Sequence, residues 1–182
     1  GYFQWGRGID GHQLPSSDTT SVLSNNSSPG HDNFILSNSQ PYDWLATPDS
    51  SLWGDSSGYL NNPCPQGWRV PTLAEWTMSS EEWMNHQSAF FSPLRLTNYG
   101  YRHQFDGSIQ GTLTTGIYWT RQPNGEQSFA VNFGNAGVSI WKQEGARARG
   151  GFVRCIREDG SYIPVSKLIG GNSIEEGYCL SS

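Results

Sequence analysis

The spacing of apolar and polar positions changes near residue 94, dividing an irregular, helix-bearing half from a β half. In the first half, Val70-Pro71-Thr72-Leu73-Ala74-Glu75-Trp76 is the clearest local signal. Thr72 and Glu75 have capping-box spacing, each satisfying an otherwise unpaired backbone N–H at a helix start. Leu73, Trp76, Trp83 and Met84 then fall on one face, so a helix ending by about Phe91 is expected, with that face in the core. Ser79-Ser80-Glu81-Glu82 offers a restart as a second short helix. From Leu94 onward the pattern reads as strands: Leu94-Arg95-Leu96, Gly100-Tyr101-Arg102, residues 116–120, 128–133 and 138–141, and Gly151 to Ile156. Turns rich in Gly and Asn separate them at hairpin spacing.

Upstream of the helix the pattern is irregular. Gly1-Tyr2-Phe3-Gln4-Trp5-Gly6 reads as a short strand, and residues 16–31 as a long polar surface loop carrying glycosylation sequons at Asn25 and Asn26. In a bacterial protein those sequons would be incidental. Phe34, Tyr42, Trp44, Trp53 and Tyr59 recur among turn residues. Such a segment is ordered only where its rings pack onto a core elsewhere. Beyond residue 158 a tail, 159–182, can dock or lead onward.

Composition narrows this picture. The 182 residues fit one domain with an irregular arm. Charged residues are only 15% and aromatics reach 13%, with 22 Gly and 10 Pro. That is a loop-rich β or α+β domain with an uncharged polar surface, not a helical bundle. A net charge of −5 argues against nucleic acid, whose phosphates need clustered Lys and Arg. No apolar run is long enough to span a membrane. The chain begins at Gly1 without a signal peptide, so a processed or partial product is expected.

Cys64, Cys155 and Cys179 have no zinc-ligand spacing. An extracellular disulfide is the preferred reading, reduced core cysteines in a cytoplasmic protein the alternative. A Cys64–Cys155 bond would close a long loop; Cys179 is then left for another segment or chain.

Catalytic chemistry is not legible. Gly54-Asp55-Ser56-Ser57-Gly58 fits G-x-S-x-G, but its flanks lack the strand and helix of a nucleophile elbow. His12, His31, His86 and His103 show no ligand spacing and read as surface or loop residues. Glu81 and Glu82 read as a solvated helix face, and there is no Gly-rich phosphate loop.

The block Asn62-Pro63-Cys64-Pro65-Gln66-Gly67-Trp68-Arg69-Val70-Pro71-Thr72, followed by Glu75-Trp76, resembles the signature of the Fibrobacter succinogenes major paralogous domain family. The likeness continues through Gly1 to Arg7, Leu52-Trp53-Gly54, Gly100-Tyr101-Arg102, Asp106-Gly107, Tyr118-Trp119-Thr120 and Gly151 to Arg157. The resemblance implies a bacterial surface or secreted protein with a C-type-lectin-like fold over residues 1–158, lacking the family's first strand. Such a fold has two short helices, a small twisted antiparallel sheet and long ordered loops. It also implies pairing of Cys64 with Cys155. Formylglycine-generating enzymes share related folds, but Cys155 alone cannot supply their cysteine pair, so no enzyme activity is expected. The fold further hosts proteins whose variable residues would sit between Tyr118 and Trp141.

The resemblance directs attention to Gln122-Pro123-Asn124, similar to the calcium-site tripeptide of sugar-binding lectins. Gln122, Asn124, Glu126 and Asn132 are the calcium candidates, with a cis Gln122–Pro123 peptide as a supporting sign. Calcium wants six to eight oxygens, several from carboxylates, and only Glu126 offers one. A Pro-Asn-Gly turn is the plainer reading. Without a metal, a sugar would stack on Tyr118, Trp119 or Trp141 with Arg121 beside it, unless those rings belong to the core. The functional expectation is a non-enzymatic extracellular recognition module or adhesin binding glycan or protein through loops between Gly100 and Gly145. The alternative is a structural subunit of a filament or envelope assembly, contacting partners through the 10–60 region and the 159–182 tail.

Overall fold

The computed structural model describes residues 1–53, 60–134, 137–141 and 145–158, with 137–141 given by backbone alone. In chain order the elements are β1 (Phe3–Gln4), β2 (Thr19–Thr20), β3 (Phe34–Ile35), β4 (Trp68–Arg69), α1 (Leu73–Ser80) and α2 (His86–Phe91). There follow β5 (Tyr99–Arg102), β6 (Ile109–Thr112), β7 (Thr115–Asn124), β8 (Gln127–Gly134), β9 (Gly137–Trp141), β10 (Gly150–Gly151) and β11 (Ile156–Arg157). The class is α+β with two short helices.

The main sheet has seven strands, ordered β1-β10-β5-β7-β8-β9 with β6 also on β5. It is mixed rather than antiparallel, because β5 and β7 run parallel. The chain reverses into β6 and again at Leu113, whose φ is 63°, and so returns beside β5 in the same direction. Two small sheets, β2 with β3 in parallel and β4 with β11 antiparallel, lie apart from it.

Strand β7 is the centre of the fold. Gly116 through Thr120 are buried without a break, the mark of a strand covered on both faces. Ile117 and Trp119 pack with Phe3, Trp5, Trp53 and Val70 on one side. Tyr118 packs with Trp76, Trp83, Leu96 and Phe133 on the other, beneath the helices.

Helix α1 starts as expected. The Thr72 hydroxyl accepts from Glu75 N at 3.1 Å and the Glu75 carboxylate accepts from Thr72 N at 2.7 Å. Arg69 adds a fork onto Glu75, at 2.8 and 2.7 Å. The helix stops at Ser80 and α2 begins only after Asn85, whose side chain caps it. The break takes Met84 out of phase: Trp76 and Trp83 stay in the core, whereas Met84 is 80% exposed.

Leu94-Arg95-Leu96 is not a strand. Leu96 donates to the Ala89 carbonyl and Arg95 has φ 50°, which turns the segment back onto α2. The expected strand from Gly151 to Ile156 splits into β10, a single bridge at Phe152, and β11 on a different sheet. Phe34, Trp44 and Trp53 are buried, so the irregular first half is indeed anchored by its rings. The 54–58 serine motif, Tyr59, Cys179 and the 159–182 tail lie outside the described residues.

Cys64 and Cys155 form a disulfide across 91 residues of sequence. Among the described residues no helix is long and apolar enough to cross a membrane. Replacing both cysteines by alanine is expected to lower the unfolding free energy by about 4 to 5 kcal/mol, the loop-closure entropy of that span. Urea unfolding of the variant against the oxidised protein checks it, an equal midpoint being the contrary result.

Candidate functional site

The sequence-derived site residues do not converge. Trp119 is fully buried, its indole N–H donating to the Phe3 carbonyl at 2.7 Å and its own carbonyl accepting from the Trp76 indole at 3.1 Å. Tyr118 is 5% exposed, with its hydroxyl accepting from Thr97 N at 2.9 Å. Neither ring presents a face to a ligand, because β7 is covered on both sides. Arg121 is half-buried and its N–H donates to the Pro71 carbonyl. Trp141 is placed by its backbone, opposite Ala130 on β8.

The calcium candidates are likewise dispersed. The Gln122 side-chain oxygen accepts from Leu73 N and so tethers the start of α1 to β7. Asn124 faces Gln127 at the hairpin tip, where Glu126 is exposed. Asn132 pairs opposite Ile117, five residues further along β8, or roughly 16 Å at strand rise. The Gln122–Pro123 peptide is trans, the cis bond among the described residues being Gln40–Pro41. Among the described residues no group of three or more His, Cys, Asp or Glu is arranged to hold a metal.

A different surface emerges where β5 runs on toward Phe105. Arg102 and Gln104 turn inward, at 3% and 5% exposure. Tyr101, His103 and Phe105 alternate with them on the other side. Their rings form a continuous row: Tyr101 to His103 at 6.2 Å, His103 to Phe105 at 4.9 Å, and Phe105 to Tyr42 at 5.4 Å between centroids. Phe105 is 39% exposed, and the other three are half-buried.

Polar groups frame this row. The Arg149 guanidinium lies over the Tyr101 ring at 5.1 Å and donates to the Gln104 side chain at 3.1 Å. The Tyr101 hydroxyl meets Gln110 at 3.1 Å, and His103 meets Asp106 at 3.3 Å. Asp106 also accepts from the backbone and hydroxyl of Ser108, and these bonds hold its carboxyl below the ordinary range. Gly107, at φ 72°, lets the turn close with its N–H on the His103 carbonyl.

Tyr42 reaches the row from a distant loop. It sits at φ 61°, unusual for a bulky residue, with its N–H on the Ser39 carbonyl and its carbonyl accepting from Ala148. Partly exposed rings, flanked by a guanidinium, amides and a carboxylate, offer apolar contact together with directional hydrogen bonds.

The buried titratable groups serve the scaffold instead. His12 lies in a loop, one of the two placements expected of it, and is fully buried there. Its Nε2 accepts from Gln4 N at 3.1 Å and its Nδ1 faces Asp10 at 2.6 Å, so the imidazole is closed off, while the Asp10 side chain keeps 27% exposure. Burial pushes His12 down to about 4. Burial acts to raise Asp10 too, but its bonds to His12 and the nearby Arg7 prevail and hold it at about 2. Burial lifts Asp43 to about 6 despite Leu45 N at 3.0 Å and Arg147 at 3.4 Å.

Compared with known proteins, the chain matches no family model, no curated protein and no solved structure. The molecule is therefore characterised by its own class: an α+β domain with a seven-stranded mixed sheet and an aromatic row on its loop face.

His12 and Asp43 act on stability in opposite directions. Between about pH 6 and 4.5 the unfolded chain holds a proton on His12 that the folded chain lacks, so acidification destabilises. The folded chain holds a proton on Asp43 that the unfolded chain lacks, so acidification stabilises. The His12→Asn protein is expected to gain stability relative to the parent as pH falls through this window, and Asp43→Asn to lose it. Each difference in slope is at most about 1.4 kcal/mol per pH unit. Urea unfolding at pH 6 and 4.5 reads both; identical slopes in the three proteins would refute the assignment.

Proposed function

We propose that the protein is a non-enzymatic, extracellular recognition domain of the C-type-lectin-like kind that binds a glycan through the Tyr101, His103, Phe105 and Tyr42 row. The observation that carries this reading is the row itself: partly open rings on a rigid support, within the loops between Gly100 and Gly145 and joined there by Tyr42. The α+β class, the Cys64–Cys155 disulfide and the capping-box helix after Val70-Pro71-Thr72 support kinship with the Fibrobacter major paralogous domain family. The disulfide also supports a surface or secreted setting.

A structural-subunit role is the second reading. Met78, Met84, Phe90 and Phe91 favour it, being exposed by 72, 80, 44 and 72% around the two helices.

A glycan array with and without EDTA separates the two. Binding that persists in EDTA and falls at least about tenfold in both Phe105→Ala and Tyr42→Ala is the expected result, each variant removing a stacking ring at the row's open end. No binding to any sugar, together with concentration-dependent assembly, would replace the recognition reading with the structural one.

A further inference from the structure

The α1–α2 surface carries a second site. A cleft of about 640 Å³ opens between the two helices, with Met78, Trp83, Phe91 and Leu94 on its walls and the exposed carboxylates of Glu81 and Glu82 beside them. Neither carboxylate has an ion pair among the described residues. A cleft of this size, in which apolar side chains alternate with serines and two charges of one sign, is suited to a short mixed peptide with apolar side chains, hydroxyls and one positive charge.

This chain contains such a peptide in the sequence that follows residue 158. Ser79 and Leu94, which line the cleft, also line a small cavity with Cys155 and Ile156, so the outgoing chain passes the end of the cleft. After Glu158, the sequence Asp159-Gly160-Ser161 has turn chemistry. It is followed by Tyr162-Ile163-Pro164-Val165-Ser166-Lys167-Leu168-Ile169, in which Lys167 is the single charge. Eleven residues from 159 to 169 reach up to roughly 36 Å when extended, about three times the length of an eight-residue helix. We propose that residues 161–169 dock into the cleft between α1 and α2 of the same molecule, with Lys167 facing Glu81 and Glu82.

The chain's two methionines make this testable in the full-length protein. Met78 lines the cleft and Met84 does not, while both are more than two-thirds exposed in the described body. Peroxide oxidation of each, followed by mass spectrometry, compares the parent with the Ile163→Asp/Leu168→Asp variant. With the segment docked nine-tenths of the time, Met78 should oxidise about tenfold more slowly in the parent than in the variant, and Met84 at the same rate in both. Glu81→Lys alone should remove part of the protection, and adding Lys167→Glu should restore it.

Equal Met78 rates in the parent and the double variant would overturn the proposal. So would protection that grows with protein concentration, which would assign the cleft to the segment of another copy. Sugar binding at the aromatic row is independent of both outcomes.

Discussion

Buried guanidinium groups hold the irregular half of this molecule in place. Arg7, Arg102 and Arg147 are 0, 3 and 1% exposed, and each spends its donors on backbone carbonyls of loops. Arg7 donates to the carbonyls of His31 and Asn33 and to the side chains of Gln4 and Asp10. Arg102 reaches Leu14, both oxygens of Ser17 and the Gly107 carbonyl. Arg147 reaches Gly125, Gln127, Ser50 and Asp43. A loop that runs through an interior leaves carbonyls needing partners, and a planar cation with five donors can satisfy several at once. Each cation also lies over a ring, Trp44, Phe34 and Trp5 respectively, which shields it while compensating part of its lost hydration.

These ties fix the surface that faces outward. Arg102 anchors the strand from which Tyr101 and His103 project, and its bond to Gly107 closes the turn that carries Phe105 and Asp106. Gln104, turned inward beside it, accepts from Ser37 N through its carbonyl and from Arg149 through its side chain. Tyr42 is held by Ala148, next in sequence to Arg147. The row thus rests on the same buried network that orders the loops. Because its rings are positioned before any ligand arrives, little ordering entropy would oppose binding. Several of the few cations therefore stand inside, and the described exterior carries carboxylates, amides, hydroxyls and rings.

Local signals in the sequence were sufficient wherever one element decides its own structure. The Thr72 and Glu75 capping box, the hairpin of β7 and β8, and the unbroken apolar run of β7 are of this kind. Signals failed where distant contacts decide. Leu94 to Leu96 has strand composition but is drawn onto α2, and the parallel placement of β5 and β7 depends on two reversals that no periodicity records. For the site, bulky aromatics on β7 drew attention although five consecutive buried positions mark a strand with no open face. The informative pattern was weaker: aromatics at 101, 103 and 105 alternating with Arg102 and Gln104, a period of two with one side inward. Tyr42 had no local signal at all, since its ring joins the row only through tertiary packing.

The interior chemistry also bears on which functions the surface can support. General acid–base catalysis needs a titratable group within reach of substrate and free to exchange its proton. His12 has the carboxylate partner and the perturbed pKa that mark such groups, yet its remaining nitrogen accepts a backbone N–H and its ring is covered. Asp43 is perturbed as strongly, but its oxygens are turned toward Leu45 and Arg147. The shifts of His12 and Asp43 record burial among anchored loops, a structural cause that competes with function for the same signature. At the aromatic row, by contrast, partly exposed rings stand beside hydrogen-bonding groups, on loops tied down by buried guanidinium groups.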